Sequence, residues 1–278
     1  MARRLETAYA DLRQGLWLWR AWVRLAWGVV RRPYRNSFLG PLWEPLGLVL
    51  LLALLGPLFA RAFARPLEDY LVYLGAGWTV WHLMSGCILQ GAATLRQAGG
   101  MLQQSRLPLS LFFFRTLLVE LLEFALKIAV VLALIVLLGR PLGAVALLSL
   151  PGLLLLLVVM LGVIVLTALA CVRVPDIRPV LGIALRLAFF LTPVLWDVQV
   201  LAGGEAAGAA EFGGRRGIAL LYVDLNPLYH LLEIVRAPLL GEVPATHSWL
   251  FALGCAAAVW AVALPLFVRW RARVVYWV

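Results

Sequence analysis

Between Arg140 and Arg173 there is no Asp, Glu, Lys or Arg, and from about Leu147 to Val172 nearly every residue is Leu, Val, Ile, Ala, Gly or Met. Coiled at about 1.5 Å per residue, that run exceeds the roughly 30 Å of hydrocarbon in a bilayer. An ordinary soluble domain has no means of covering so long an apolar rod, and a membrane does. The rest of the chain follows suit: its 278 residues are 64% hydrophobic and 14% charged, with a mean hydropathy of +0.95. These values exclude a soluble fold and point to an all-α integral membrane protein.

Six spans are expected, over about residues 40–60, 70–93, 111–138, 147–172, 180–196 and 248–268. The second is rich in small residues (Gly75, Gly77, Gly86), which let helices approach closely. Cys87, Cys171 and Cys255 lie within apolar stretches, with neither metal-ligand nor disulfide spacing, and read as small core residues.

One apolar segment is too short to cross. Leu225 to Gly241 (LNPLYHLLEIVRAPLLG) has Asn226 as N-cap, Pro227 at the first helical position, and a stop at Pro238 and Gly241. Roughly a dozen helical residues remain, where a span needs about 20. His230, Glu233 and Arg236 form a polar stripe beside Tyr229, against an apolar surface of Leu228, Leu231, Leu232 and Val235. A re-entrant or interfacial helix is expected, inside an external region 197–241 whose Gly203 to Gly217 portion is a Gly/Ala-rich loop.

Leu5 to Val30 is expected to lie on the membrane as one interfacial helix within an N-terminal cytoplasmic region 1–38, ahead of a transmembrane domain 39–278 that holds the six spans. Arg13, Arg20, Arg24 and Arg31 share a narrow stripe, and Trp17, Trp19, Trp22 and Trp27 cover much of the remainder. As a span it would put Arg20 and Arg24 near mid-membrane, at about 2.5–3.5 kcal/mol each.

The net charge of +10 is distributed by membrane side and not as a nucleic-acid-binding patch. With both termini cytoplasmic, fifteen Lys and Arg lie inside against six outside (Arg61, Arg65, Arg140, Arg215, Arg216 and Arg236). That asymmetry favours an even number of spans. No cleavable signal peptide is expected, because arginine-rich sequence continues from Arg3 to Arg35.

Three motifs, YRNSFLGPLW at Tyr34 to Trp43, FFLTPVLW at Phe189 to Trp196, and LNPLYHLLEIVRAPLLG, occur in an order that resembles the membrane subunit of type-2 ABC exporters for polysaccharide, most closely the O-antigen permeases. The resemblance covers nearly the whole chain. It implies a homodimer in a bacterial plasma (inner) membrane, carrying a lipid-linked polysaccharide. Two separate ABC ATPase subunits would bind ATP and Mg, and this chain would hold no cofactor of its own. It further implies that the polar segment 94–110 is the coupling loop, with Gln103, Gln104, Arg106 and Pro108 facing the ATPase.

The residues themselves agree that no catalytic centre is present: there is no GxxxxGK[ST] phosphate loop, no HExxH and no GxSxG. Arg173 and Asp176, in the other internal cytoplasmic loop, are expected to make a secondary partner contact; a solvated connector is the simpler reading of both loops. Glu120, Glu123 and Lys127 fall within about 60° on a helical wheel, and either border a translocation path or neutralise one another between helices. Arg186, with a kink at Pro193 near Trp196, is a second candidate for the path. Tyr70, Tyr73, Trp78, Trp81 and Phe112 are candidates for stacking on sugar rings, against the commoner role of an aromatic belt at the membrane interface. The same fold with another cargo (teichoic acid, capsule, a hydrophobic small molecule) stays open. So does a membrane enzyme acting on lipid-linked sugar, which would need paired acids; Asp176, Asp197 and Asp224 stand alone in sequence.

Overall fold

The computed structural model describes residues 2–35, 37–105, 107–140, 143–198, 223–274 and 276–277; Arg106 and the Gly203–Gly217 loop lie outside them. Among the described residues the chain is helical, without strands. The helices are α1 (Ala2–Trp17), α2 (Trp19–Arg31), α3 (Trp43–Ala62), α4 (Leu67–Gln97), α5 (Gly99–Gln104), α6 (Leu109–Leu137), α7 (Ser149–Arg173), α8 (Ile177–Leu191), α9 (Pro227–Leu239) and α10 (Thr246–Val274). Three stretches of helix, Gly40–Ala62, Ala144–Arg173 and Thr246–Val274, are long and apolar enough to cross a membrane. The second is α7 extended by a 3₁₀ turn over Ala144–Leu148, the charge-free run of the sequence.

α4 and α6, of 31 and 29 residues, have the length to cross but carry more polar character; α6 holds Arg115, Glu120, Glu123 and Lys127. α6 ends where Gly139 takes φ +68, a conformation that a Cβ disfavours, and the Arg140 N–H turns back to the Ile135 carbonyl.

Three elements differ from the sequence expectation. The N-terminal segment is two helices, broken at Leu18 with ψ of 30°. The break serves packing: α1 lies against α6 and α10, while α2 runs along α6 and buries Ala26 and Val30. The expected 180–196 span is helical only to Leu191. Pro193 drives its predecessor out of the helical region, and Thr192 stands at ψ 134, so a stop replaces the expected kink. Finally, Pro238 lies inside α9 and does not end it; the terminator is Gly241, at φ +84, with the Glu242 N–H bonded to the Ala237 carbonyl.

The core lies where α4 and α6 meet α7, α9 and α10, around Leu83, Met84, Phe112, Phe113, Leu156, Met160, Leu232 and Phe267. α9 is packed on α4, α7 and α10, and nine of its thirteen residues are buried. α8 is the opposite case: it has no buried residue, and Ile183, Leu187 and Phe190 lie open.

Candidate functional site

The densest polar architecture joins the turn after α8 to α9 and to the first turns of α4. The start of α9 is written locally: the Asn226 side chain accepts from the Leu228 N–H at 3.0 Å, and Pro227 needs no donor there. The other end of the same amide donates to Thr192 Oγ1 at 2.9 Å, so a single cap residue also ties α9 to the end of α8.

Arg236 is the hub. Its side chain is buried, and each of its three nitrogens has a partner. Nη1 donates to the Pro193 carbonyl at 2.7 Å, Nη2 and Nε donate to Glu233 Oε2 at 2.6 and 3.2 Å, and the guanidinium lies 4.3 Å from the Tyr73 ring centroid. A buried guanidinium is tolerated on such terms, since pairing and hydrogen bonds offset its desolvation. The Tyr73 hydroxyl donates toward the Trp196 and Pro193 carbonyls at 2.8 and 3.1 Å, and the Tyr70 hydroxyl donates to the Leu195 carbonyl at 2.6 Å. The backbone carbonyls that the stop at Pro193 frees are thus met by side chains of α4 and α9, as a low-dielectric setting demands.

His230 is fully buried, with Nε2 at 2.7 Å from the Asp224 carbonyl and Nδ1 at 3.0 Å from Ser248 Oγ. A carbonyl only accepts, so Nε2 bears the proton on this bond. Arg65 pairs with Asp197 at 2.5 Å, and Arg140 pairs with Asp69. Arg65, Asp197, Arg140 and Asp69 line a cavity of about 540 Å³ together with Tyr229, Glu233 and Glu242.

A second constellation lies between the start of α3 and the middle of α4 and α6. Glu120, Glu123 and Lys127 do share a face, and it faces other helices. Lys127 Nζ sits 2.8 Å from Glu44 on α3 and 3.7 Å from Glu123, and Glu120 closes on Gly86 of α4 so tightly that any side chain there would strike its carboxylate. Donor atoms of Glu44, His82 and Glu123 lie within 4.8 Å of one another, a spacing suited to a metal ion. The Lys127 ammonium already supplies positive charge between the two carboxylates. The Tyr34 hydroxyl donates to Glu44 at 3.3 Å, and burial, then the neighbouring carboxylate, hold its phenol above the ordinary value. The arrangement is that of an ion cluster between helices.

No protein-family model matches the sequence, and comparison with curated proteins finds no match either.

The remaining candidates divide by burial. Phe112 is wholly buried, with the Arg115 guanidinium 5.6 Å from its ring, while Trp81 and the half-buried Trp78 pack on Phe189 at 5.5 and 5.4 Å between centroids. These rings fill helix contacts. Arg186 is exposed on α8, and Trp196 Nε1 donates to the Phe190 carbonyl at 3.0 Å. Gln103 and Gln104 are exposed on α5, whose first residues are Gly99 and Gly100, and Pro108 is the N-cap residue of α6. Arg173 lies over the Trp270 and Trp277 rings, and Asp176 is exposed at the start of α8. On the N-terminal helices Arg13, Arg20, Arg24 and Trp17 are exposed, whereas Trp22 packs against Phe114.

Sequence reasoning missed two partners. Glu44 is closer to Lys127 than Glu123 is, but only the latter shows an i,i+4 spacing. Asp11 is 2% exposed, and its carboxylate accepts from the Leu109 and Ser110 N–H groups at 3.2 and 3.0 Å and from Arg271. Asp11 is one of two acids, with Glu6, in an arginine-rich helix, and nothing local named its partners.

Proposed function

We propose that this chain is the membrane subunit of a type-2 ABC exporter that moves a lipid-linked polysaccharide of the O-antigen kind. In this reading α3, α4, α6, α7, α10 and the segment 177–196, which α8 begins and the turn at Pro193 completes, cross the inner membrane of a bacterium with both termini cytoplasmic, and α9 is re-entrant from the external side. Two copies form the path and two ATPase subunits bind ATP and Mg. The chain performs no bond chemistry; it converts motion of its cytoplasmic loop into opening on the far side.

The observation that carries this reading is the reach of α4. One unbroken helix of 31 residues, about 46 Å long at 1.5 Å per residue, leads from Tyr70 and Tyr73 at the Pro193 turn to α5 with its exposed glutamines. A push on α5 therefore has a stiff route to the hub around Arg236. The rival membrane-enzyme reading needs an acid pair free to act, and Glu44 and Glu123 are both committed to Lys127.

The test is co-purification of the tagged chain with the ABC ATPase encoded beside it, for wild type and for a triple Gln103→Ala, Gln104→Ala, Arg106→Ala variant. A stable wild-type complex, weakened or uncoupled in the variant, is expected. A wild-type chain that holds no ATPase in any detergent would overturn the exporter reading and favour the enzyme.

A further inference from the structure

Two buried donors at one helix contact have no acceptor. Among the described residues, three buried side-chain nitrogens lack a hydrogen bond: Trp22 Nε1, Arg115 Nε and Lys127 Nζ. Lys127 has the Glu44 and Glu123 carboxylates beside it. The other two belong to the contact of α2 with α6, where Trp22 packs on Phe114 and Arg115 is the next residue. On a wheel at 100° per residue, Arg115 falls between Leu118 and Val119, which pack with Ala26 and Val30 of α2.

Arg115 is 7% exposed, and among the described residues it meets no carboxylate. The charge that bears on it is that of Arg32, of the same sign. The Phe112 ring, 5.6 Å away, offers only a partial attraction. Nor does the sequence place an acid within reach: Leu12 to Trp43 holds six arginines and neither Asp nor Glu. Glu44, the next acid, is held by Lys127, and the first acid of α6, Glu120, is turned to Gly86 of α4. A buried guanidinium without a counter-charge is costly, and a second guanidinium beside it adds to the cost.

We infer that the contact of α2 with α6 binds a phosphate group, with Arg115 and Arg32 as its cations and the Trp22 indole N–H in the same contact as a further donor. Phosphate oxygens match the guanidinium fork and accept from every N–H that faces them. Depth points to a phospholipid as the source. α6 has 29 residues, about 43 Å at 1.5 Å per residue, so about 7 Å stands beyond a hydrocarbon layer of about 30 Å at each end. Arg115 is six residues from Leu109, and helical side chains lean toward the N-terminus, which brings its head to the headgroup layer where α6 begins. Arg20, Arg24 and Arg31, exposed on α2, make that face attractive to anionic heads. A choline head would bring a third cation to two, so phosphatidylglycerol fits and phosphatidylcholine does not.

The site rests on α6 crossing the membrane and needs neither ATPase nor cargo, so its failure would leave the exporter reading where it stood. The experiment uses the full chain, delipidated in dodecyl maltoside, with binding read by native mass spectrometry and stability by thermal melts. Phosphatidylglycerol is expected to bind at least about tenfold more tightly than phosphatidylcholine and to raise the melt. Arg32→Gln, at an exposed position, should weaken phosphatidylglycerol about tenfold at an unchanged elution volume. Arg115→Met should abolish the lipid-dependent rise while its lipid-free melt equals or exceeds that of wild type, because no internal partner is lost. Arg269→Gln, exposed on α10, should leave binding as it was. Inorganic phosphate that raises the melt and displaces the lipid would keep the anion site and make the free ion its ligand. Equal binding of the two lipids, or a loss in Arg269→Gln as large as in Arg32→Gln, would overturn the assignment, as would a full lipid-dependent rise in Arg115→Met.

Discussion

Asp11 and Arg271, 260 positions apart, meet at 2.7 Å between Oδ2 and Nε. The same carboxylate caps α6 from a different helix, receiving the Leu109 and Ser110 N–H groups where the helix dipole is positive, and Ser110 Oγ donates back to the Asp11 carbonyl at 2.8 Å. First helix, last helix and the entry to α6 therefore share one buried acid. Asp11→Ala should cost about 1–2 kcal/mol for the cap alone, and lower the apparent Tm by about 2–4 °C per kcal/mol. Arg271→Ala should cost less, because the Arg271 side chain is about one-third exposed at 32% and leaves the cap intact. Thermal melts in detergent rank the two, and the reverse order would show that the ion pair matters more than the cap.

Gly152 lets α7 approach the backbone of α9. A methyl group there would run into the Ile234 carbonyl, which cannot rotate away as a side chain can, and whose helical partner four residues on is Pro238, without an N–H. Gly152→Val should destabilise by about 1–3 kcal/mol through overpacking. Gly47→Ala, where a Cβ meets nothing within 4 Å, should leave the melt unchanged or raise it slightly. Equal melts for Gly152→Val and wild type would mean that the two helices can part at no cost.

What the sequence conveyed follows from the range of each signal. The apolar runs and the Asn226-Pro227 start act over a few residues, and the helices stand close to where those signals put them. The early end of α8 was also written locally, in the effect of Pro193 on Thr192, but a bilayer can carry a kink, so the text alone allowed either. The Glu233–Arg236 pair is an i,i+3 contact and was legible, whereas its grip on the Pro193 carbonyl spans 43 positions and was not. Asp11 and Glu44 find their partners only after the helices pack, so no spacing could announce them. For the same reason, rings that looked available for sugar (Phe112, Trp81) are core in the fold.

Tyr73→Phe tests the grip on the Pro193 turn. The Trp196 carbonyl loses its donor, while the Pro193 carbonyl keeps Arg236. A loss of about 1 kcal/mol of local stability is expected, about fivefold faster amide exchange over 192–196. Arg236→Met should do more, since it strands the Glu233 carboxylate, with about 3–5 kcal/mol lost. Hydrogen exchange by mass spectrometry reads both, and unchanged exchange over 192–196 in Arg236→Met would remove Arg236 from its place as hub.

Lys127→Met separates the two meanings of the interhelical cluster. Wild type has an ammonium, 3% exposed, against Glu44 and Glu123. Its removal leaves carboxylates facing one another across α3 and α6, and breaking a buried pair of this kind costs about 3–5 kcal/mol. The vacated centre would retain donors from Glu44, His82 and Glu123 within 4.8 Å of one another, an N/O set that suits Zn²⁺ or Mn²⁺. Added Zn²⁺ should therefore raise the melt of Lys127→Met and not that of wild type, with up to about 2.7 kcal/mol recovered when the ion stands at a hundred times its Kd. His82→Ala in the Lys127→Met background should abolish the response. An ion that stabilises wild type equally would mean that the lysine does not hold the centre, and that the three donors bind a cation in the native chain.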